Sequence, residues 1–106
     1  MFGRQVTLKL KPDAAAELTR IVRSEIIPIL QRQKGFRNET LFVAPERSEA
    51  IDNSFWDTPE DAEAYNQSAY PQVLTALANV IEGIPTVRTF DFVTSTVDST
   101  FTGKLA

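Results

Sequence analysis

The chain contains no cysteine and no histidine. The first absence rules out disulfides, thiolate nucleophiles, redox pairs and thiolate zinc sites together, and it fits a reducing compartment. With neither residue present, the fold is easier to read than the substrate or the reaction. A basic stripe is also missing: the 11 Lys and Arg are scattered among 14 Asp and Glu, for a net charge of −3. A surface that tracks phosphates needs clustered positive charge, so neither nucleic acid nor an anionic membrane is expected as a partner. The longest apolar run, 26–30, is too short to span a bilayer and contains Pro28. The opening MFGRQVTLKL has no apolar stretch of signal-peptide length, which gives the cytoplasm as the expected location. Gly3, Gly35, Gly83 and Gly103 lie far apart, so no phosphate-cradling loop can be built from them. No cofactor is expected.

What is present describes an ordinary globular chain. Apolar residues make up 42 % and charged residues 24 % of 106, spread evenly enough for one domain with one modest core. Residues 4–11 alternate, with Val6, Leu8 and Leu10 on one face and Thr7, Lys9 and Lys11 on the other, as a half-buried strand does. Asp13 then reads as the N-cap of an amphipathic helix reaching about residue 33, with Leu18, Ile21, Val22, Ile26, Ile29 and Leu30 on its apolar face. Pro28 predicts a bend in this helix, and Gly35 a left-handed end to it. Two strands, 36–44 and 48–56, are joined by the short connection 44–47 and are expected to pair antiparallel.

The second helix is the most clearly signposted element. Thr58 is its N-cap, Pro59 suits the first helical position, and Glu60 and Asp61 set negative charge at the positive end of the helix dipole. Capping also explains the acidic cluster Asp57, Glu60, Asp61 and Glu63 more simply than a metal site would. Pro71 predicts an interruption near Tyr70, after which Val73, Leu74, Leu77, Ala78, Val80 and Ile81 continue as helix. Gly83, Ile84 and Pro85 read as its exit, and 86–97 as a last strand. The order is β-α-β-β-α-β, an α+β ferredoxin-like fold with one antiparallel four-stranded sheet, strands one and three central. The domain covers 1–97, leaving 98–106 as a tail or swapped arm.

In this layout helices cover one sheet face only. Adjacent large residues, Phe42 beside Leu41 and Val43, Phe55 beside Trp56 and Phe92 beside Val93, place apolar groups on both faces. A homodimer formed through the helix-free face is therefore expected, ahead of a monomer whose extra aromatics sit at strand ends.

With this element order, Lys34-Gly35-Phe36 entering the second strand, and the run Phe55-Trp56-Asp57-Thr58-Pro59-Glu60-Asp61-Ala62 leading into the second helix, the chain resembles the antibiotic biosynthesis monooxygenase family of the dimeric α+β barrel superfamily. The resemblance spans roughly 4–97. It implies a cavity between sheet and helices and either cofactor-independent oxygenation of polyphenolic substrates or no catalysis at all. Haem degradation, known in the same family, relies on an iron-ligating histidine that this chain lacks. The resemblance makes Trp56 a cavity residue and Asn53 an analogue of an amide that holds a substrate oxygen.

Oxygenation without a cofactor needs donors for a substrate anion inside a dry aromatic pocket. Asn53, Tyr65 and Arg88 are the candidate catalytic residues: an amide for the enolate, a phenol to donate or relay a proton, and a positive charge. Trp56 and Tyr70 are the candidate substrate-binding residues for a small aromatic or apolar molecule. Each also has a plainer reading. Trp56 serves as a core or interface anchor, Tyr65 and Tyr70 seal a helix on the sheet, Asn53 faces solvent, and Arg88 pairs with Glu39 or Asp91. The alternative function is a non-catalytic ligand-binding or stress-associated barrel. If Asn53, Tyr65, Trp56 and Arg88 act together, they should line one cavity of roughly 300 Å³ or more.

Overall fold

The computed structural model describes residues 1–94. Four strands, β1 Phe2–Leu10, β2 Phe36–Ala44, β3 Glu49–Trp56 and β4 Ile81–Asp91, form one antiparallel sheet in the order β2-β3-β1-β4. This is the expected ferredoxin-like arrangement, with β1 and β3 central. The tail 98–106 lies outside the described residues.

Pairing register sorts the side chains by face. Arg4, Val6, Leu8 and Leu10 of β1 share a face with Ala50, Asp52, Ser54 and Trp56 of β3, and the apolar members of this set join the core under the helices. The opposite face carries Gly3, Gln5 and Thr7 beside Ile51, Asn53 and Phe55, with Phe42 of β2 and Arg88 and Phe90 of β4 aligned to them.

The first helical run is continuous but changes pitch. α1, Ala15–Ile21, passes into a π-helical turn, Val22–Ile26, and then α2, Ile27–Gln31. Pro28 lies in the first turn of α2. A wider turn precedes it, in which the Ile27 N–H donates to the Val22 carbonyl five residues back. Leu18, Val22, Ile26 and Leu30 are all buried, each contributing roughly 1.5–3 kcal/mol of apolar burial. Asp13 is not the N-cap: it takes φ +59°, and Ala14 occupies the cap position without a side-chain bond. Gly35 has φ +79° as expected, and the space a side chain would need there is filled by Asp61.

α3, Pro59–Ser68, starts as its sequence dictates, the Asp61 N–H donating to Thr58 Oγ1 at 3.1 Å. α4, Tyr70–Leu77, follows with Pro71 in its first turn. The last strand begins earlier than the sequence suggests. Ile81 and Glu82 pair with Leu10 and Lys9, then Gly83, Ile84 and Pro85 bulge opposite Leu8 alone before Thr86 meets Thr7. Gly83 at φ +70° makes that bulge possible, and Pro85 is tolerated because β4 is an edge strand. The residues expected to end a helix therefore interrupt a strand. Phe92 and Val93 fall just beyond it.

Candidate functional site

The helix-covered face has a polar centre that the sequence pattern conceals. Arg4 occupies an inward position of β1, only 4 % exposed, where alternation would put an aliphatic residue. Its Nη2 donates to Asn66 Oδ1 of α3 at 2.8 Å. Its guanidinium lies over the Tyr70 ring at 4.0 Å and near the Tyr65 ring at 5.3 Å, a cation–π arrangement made stronger by burial.

Beyond Arg4 stand two carboxyl groups, Glu39 of β2 and Asp52 of β3. Glu39 Oε2 and Asp52 Oδ1 are inaccessible, and neither meets a donor among the described residues. Burial, then the hydrogen bond and the like charge of Asp52, raise the Glu39 carboxyl to about 9. Burial also raises Asp52, against the opposing pull of its bond to Glu39 and of the Arg4 charge. Protonated up to about 9, Glu39 is the donor in its bond to Asp52, and the Arg4 charge pulls Asp52 the other way. Tyr65 and Tyr70 are raised chiefly by burial and stay protonated.

Trp56 is fully buried and its Nε1–H donates to Ser54 Oγ at 2.9 Å. Its ring stacks on Tyr65 at 5.0 Å and meets the edge of Phe36 at 5.5 Å. Fully buried and in contact with both rings, Trp56 anchors the core here.

Three spaces surround these groups. Enclosed between the layers is a cavity of about 10 Å³ touching Arg4, Glu39, Asp52, Ser54, Tyr65 and Tyr70, room for about one water. Arg4 also reaches an open groove of about 660 Å³ between α3 and the edge of β1 and β4, bounded by Phe2, Pro59, Glu60, Glu63 and Asn66. On the helix-free face, a hollow of about 360 Å³ is bordered by Gln5, Asn53, Phe55, Phe90 and Phe92.

The expectation of one shared cavity therefore fails. Trp56, Tyr65 and Tyr70 gather under the helices, whereas Asn53 and Arg88 have the other strand parity and lie across the sheet. None of the three spaces described among residues 1–94 touches all four. Arg88 sits over the Phe90 ring at 5.0 Å, and the expected partner Glu39 is half-buried beside Asp52 on the far side. Arg37, the other cation of β2's entry, pairs with Asp57. Arg4, Asp52 and Asn66 were not singled out from the sequence, and Glu39 only as an ion-pair partner. Arg4 shares parity with Val6, Leu8 and Leu10, and Asp52 with Ala50 and Trp56, which was the available signal.

No protein-family model matches the sequence, and no curated protein matches it either. Solved structures do match in fold. The monooxygenase from the Streptomyces coelicolor gene ActVA-Orf6, solved with nanaomycin D, superposes with a TM-score of 0.75 at 14 % identity over 92 % of each chain. A Nitrosomonas europaea protein of unknown function gives 0.74 at 16 % identity, over 92 % of this chain and 93 % of that one. A Caulobacter crescentus candidate antibiotic biosynthesis monooxygenase gives 0.72 at 18 % identity, over 88 % and 90 %. The likeness is one of fold, the fold of the antibiotic biosynthesis monooxygenase-like structures. No helix among the described residues is long and apolar enough to cross a membrane.

Proposed function

We propose that this chain binds a small, flat, largely apolar molecule bearing an acidic hydroxyl, a phenol or enol, in the groove over Arg4, and oxygenates it without a cofactor. The observation that carries this reading is a buried guanidinium at the floor of a groove of about 660 Å³, a size typical of ligand sites. Arg4 is held there by Asn66 and by the ring of Tyr70, so it is preorganised to meet an oxyanion.

A phenolate is the electron-rich form that reacts with dioxygen. The ring carbon para to the oxygen gains one oxygen atom as the second carbonyl of a quinone, and the other oxygen leaves as water with two hydrogens from the substrate. The substrate supplies all four electrons. The fold shared with the Streptomyces coelicolor monooxygenase supports this class of reaction. In this reading Tyr65 and Tyr70 hold and orient Arg4 while Trp56 braces Tyr65. Asn53 and Arg88 belong to the helix-free face, where a second copy of the chain docks on Phe42 and Phe90.

Non-catalytic binding is the second reading, favoured by an interlayer cavity of only about 10 Å³. Oxygen uptake with 1-naphthol decides between them. Oxygenation predicts consumption above autoxidation, one dioxygen per 1,4-naphthoquinone formed, abolished in Arg4→Met and partly kept in Arg4→Lys. Saturable binding without uptake establishes the second reading, and no binding at all overturns both.

A further inference from the structure

We propose that the half-buried Glu39–Asp52 pair is the internal proton acceptor for the acidic hydroxyl seated against Arg4, so that the ligand becomes an oxyanion without releasing a proton to solvent. This inference rests on the groove reading above.

Geometry supplies the route. Arg4 borders both the open groove and the cavity between the layers. Behind it, the cavity touches Glu39 and Asp52 and has room for about one water to relay a proton. The inaccessible Glu39 Oε2 and Asp52 Oδ1 meet no donor from elsewhere among the described residues, which leaves the pair as the acceptor.

Charge supplies the reason. With one proton on the pair, its charge of −1 balances the +1 of Arg4, and the enclosed site is neutral. A preformed anion seated against Arg4 would add a second negative charge beside that of the pair. A neutral acid can instead break its own O–H bond as an Asp52 carboxyl O–H bond forms, and the resulting oxyanion takes Arg4 as its counterion. The charge stays at zero throughout and no electron moves. The titratable or charged groups facing the pair are Arg4 from β1, Tyr65 from α3 and Tyr70 from α4, with apolar Leu30 from α2 completing that side. Both tyrosines stay protonated, so neither competes as acceptor. Glu60 and Glu63, exposed at the groove rim, further disfavour ligands that arrive already charged. The class selected is therefore a phenol or enol rather than a carboxylate or phosphate.

The test uses the whole protein and 1-naphthol under anaerobic conditions, so that no turnover intervenes. Absorbance distinguishes bound naphtholate from bound naphthol, and binding calorimetry in phosphate and Tris near neutral pH counts the protons exchanged with buffer. The expected result is bound naphtholate with about zero protons released, and loss of the naphtholate band in Asp52→Asn. Bound neutral naphthol, about one proton released per naphtholate, or an unchanged band in Asp52→Asn overturns the inference while leaving the groove reading intact. Absence of binding overturns both. Should Asp52→Asn fail to fold, the wild-type spectrum and proton count decide alone.

Discussion

Replacing Glu39 by glutamine should change how stability depends on pH. In the unfolded chain this carboxyl loses its proton near the ordinary value of 4.5, whereas in the folded protein it holds it to about 9. Between those limits the folded state binds one more proton than the unfolded state, so stability falls as pH rises. It is highest at the acid end of the window and is lost progressively toward pH 9. One proton corresponds to about 1.4 kcal/mol per pH unit, hence about 3 kcal/mol between roughly pH 5.5 and 7.5. Asp52, also raised, acts in the same direction. The Glu39→Gln side chain keeps the shape, can donate to Asp52, and has nothing to titrate. Urea unfolding across this range should show a wild-type midpoint dropping by roughly 1–3 M, from an m-value of roughly 1–3 kcal/mol/M. The Glu39→Gln midpoint should vary far less and overtake wild type as pH rises. A wild-type midpoint flat to within about 0.3 M would refute the burial argument for the pair.

Two further outcomes are expected. Gly35→Ala forces a side chain into a left-handed conformation, at about 1–2 kcal/mol, and the new carbon overlaps the Asp61 carboxylate, which already occupies that space. Measured against Asp61→Gly alone, the double variant with Asp61→Gly should show the overlap relieved and only the backbone cost of Gly35→Ala left, and a Gly35→Ala protein as stable as wild type in thermal unfolding would disprove both contributions. If the helix-free face joins two copies, sedimentation equilibrium should give twice the 11.8 kDa chain mass. Phe42→Asp, at a position 61 % exposed, should then shift it to the single-chain value, and a wild-type mass of one chain rules the dimer out.

The parts of the fold legible in the sequence were those fixed by local chemistry. Thr58, Pro59 and Asp61 start α3, Pro71 divides the helical region, and Gly35 takes positive φ, because each depends on a residue's own backbone preferences. The misreadings had non-local causes. Gly83-Ile84-Pro85 carries the same turn signals whether it ends a helix or bulges from a strand, and only pairing with β1 decides. Asp13 looks like a cap, yet the turn leaving β1 uses it in the left-handed region. Around Arg4, the aromatic residues had been singled out from the sequence, and Arg4, Asp52 and Asn66 had not. Charged residues such as Arg4 and Glu39 are by default assigned to solvent, and although alternation along β3 sets Asn53 opposite Trp56, the face of Arg88 follows only from its register with β1.

The π-helical turn ahead of Pro28 affects the whole first helical run. Four-residue steps on a regular α-helix drift by about 40° each, since successive residues advance by about 100°. The stripe Leu18, Val22, Ile26, Leu30 would thus wander around the cylinder. Slower winding over Val22–Ile26 cancels much of that drift. Removing one residue from this stretch would restore a tidier spiral but swing Ile29 and Leu30 away from the sheet, so irregular winding is the condition for a straight seam.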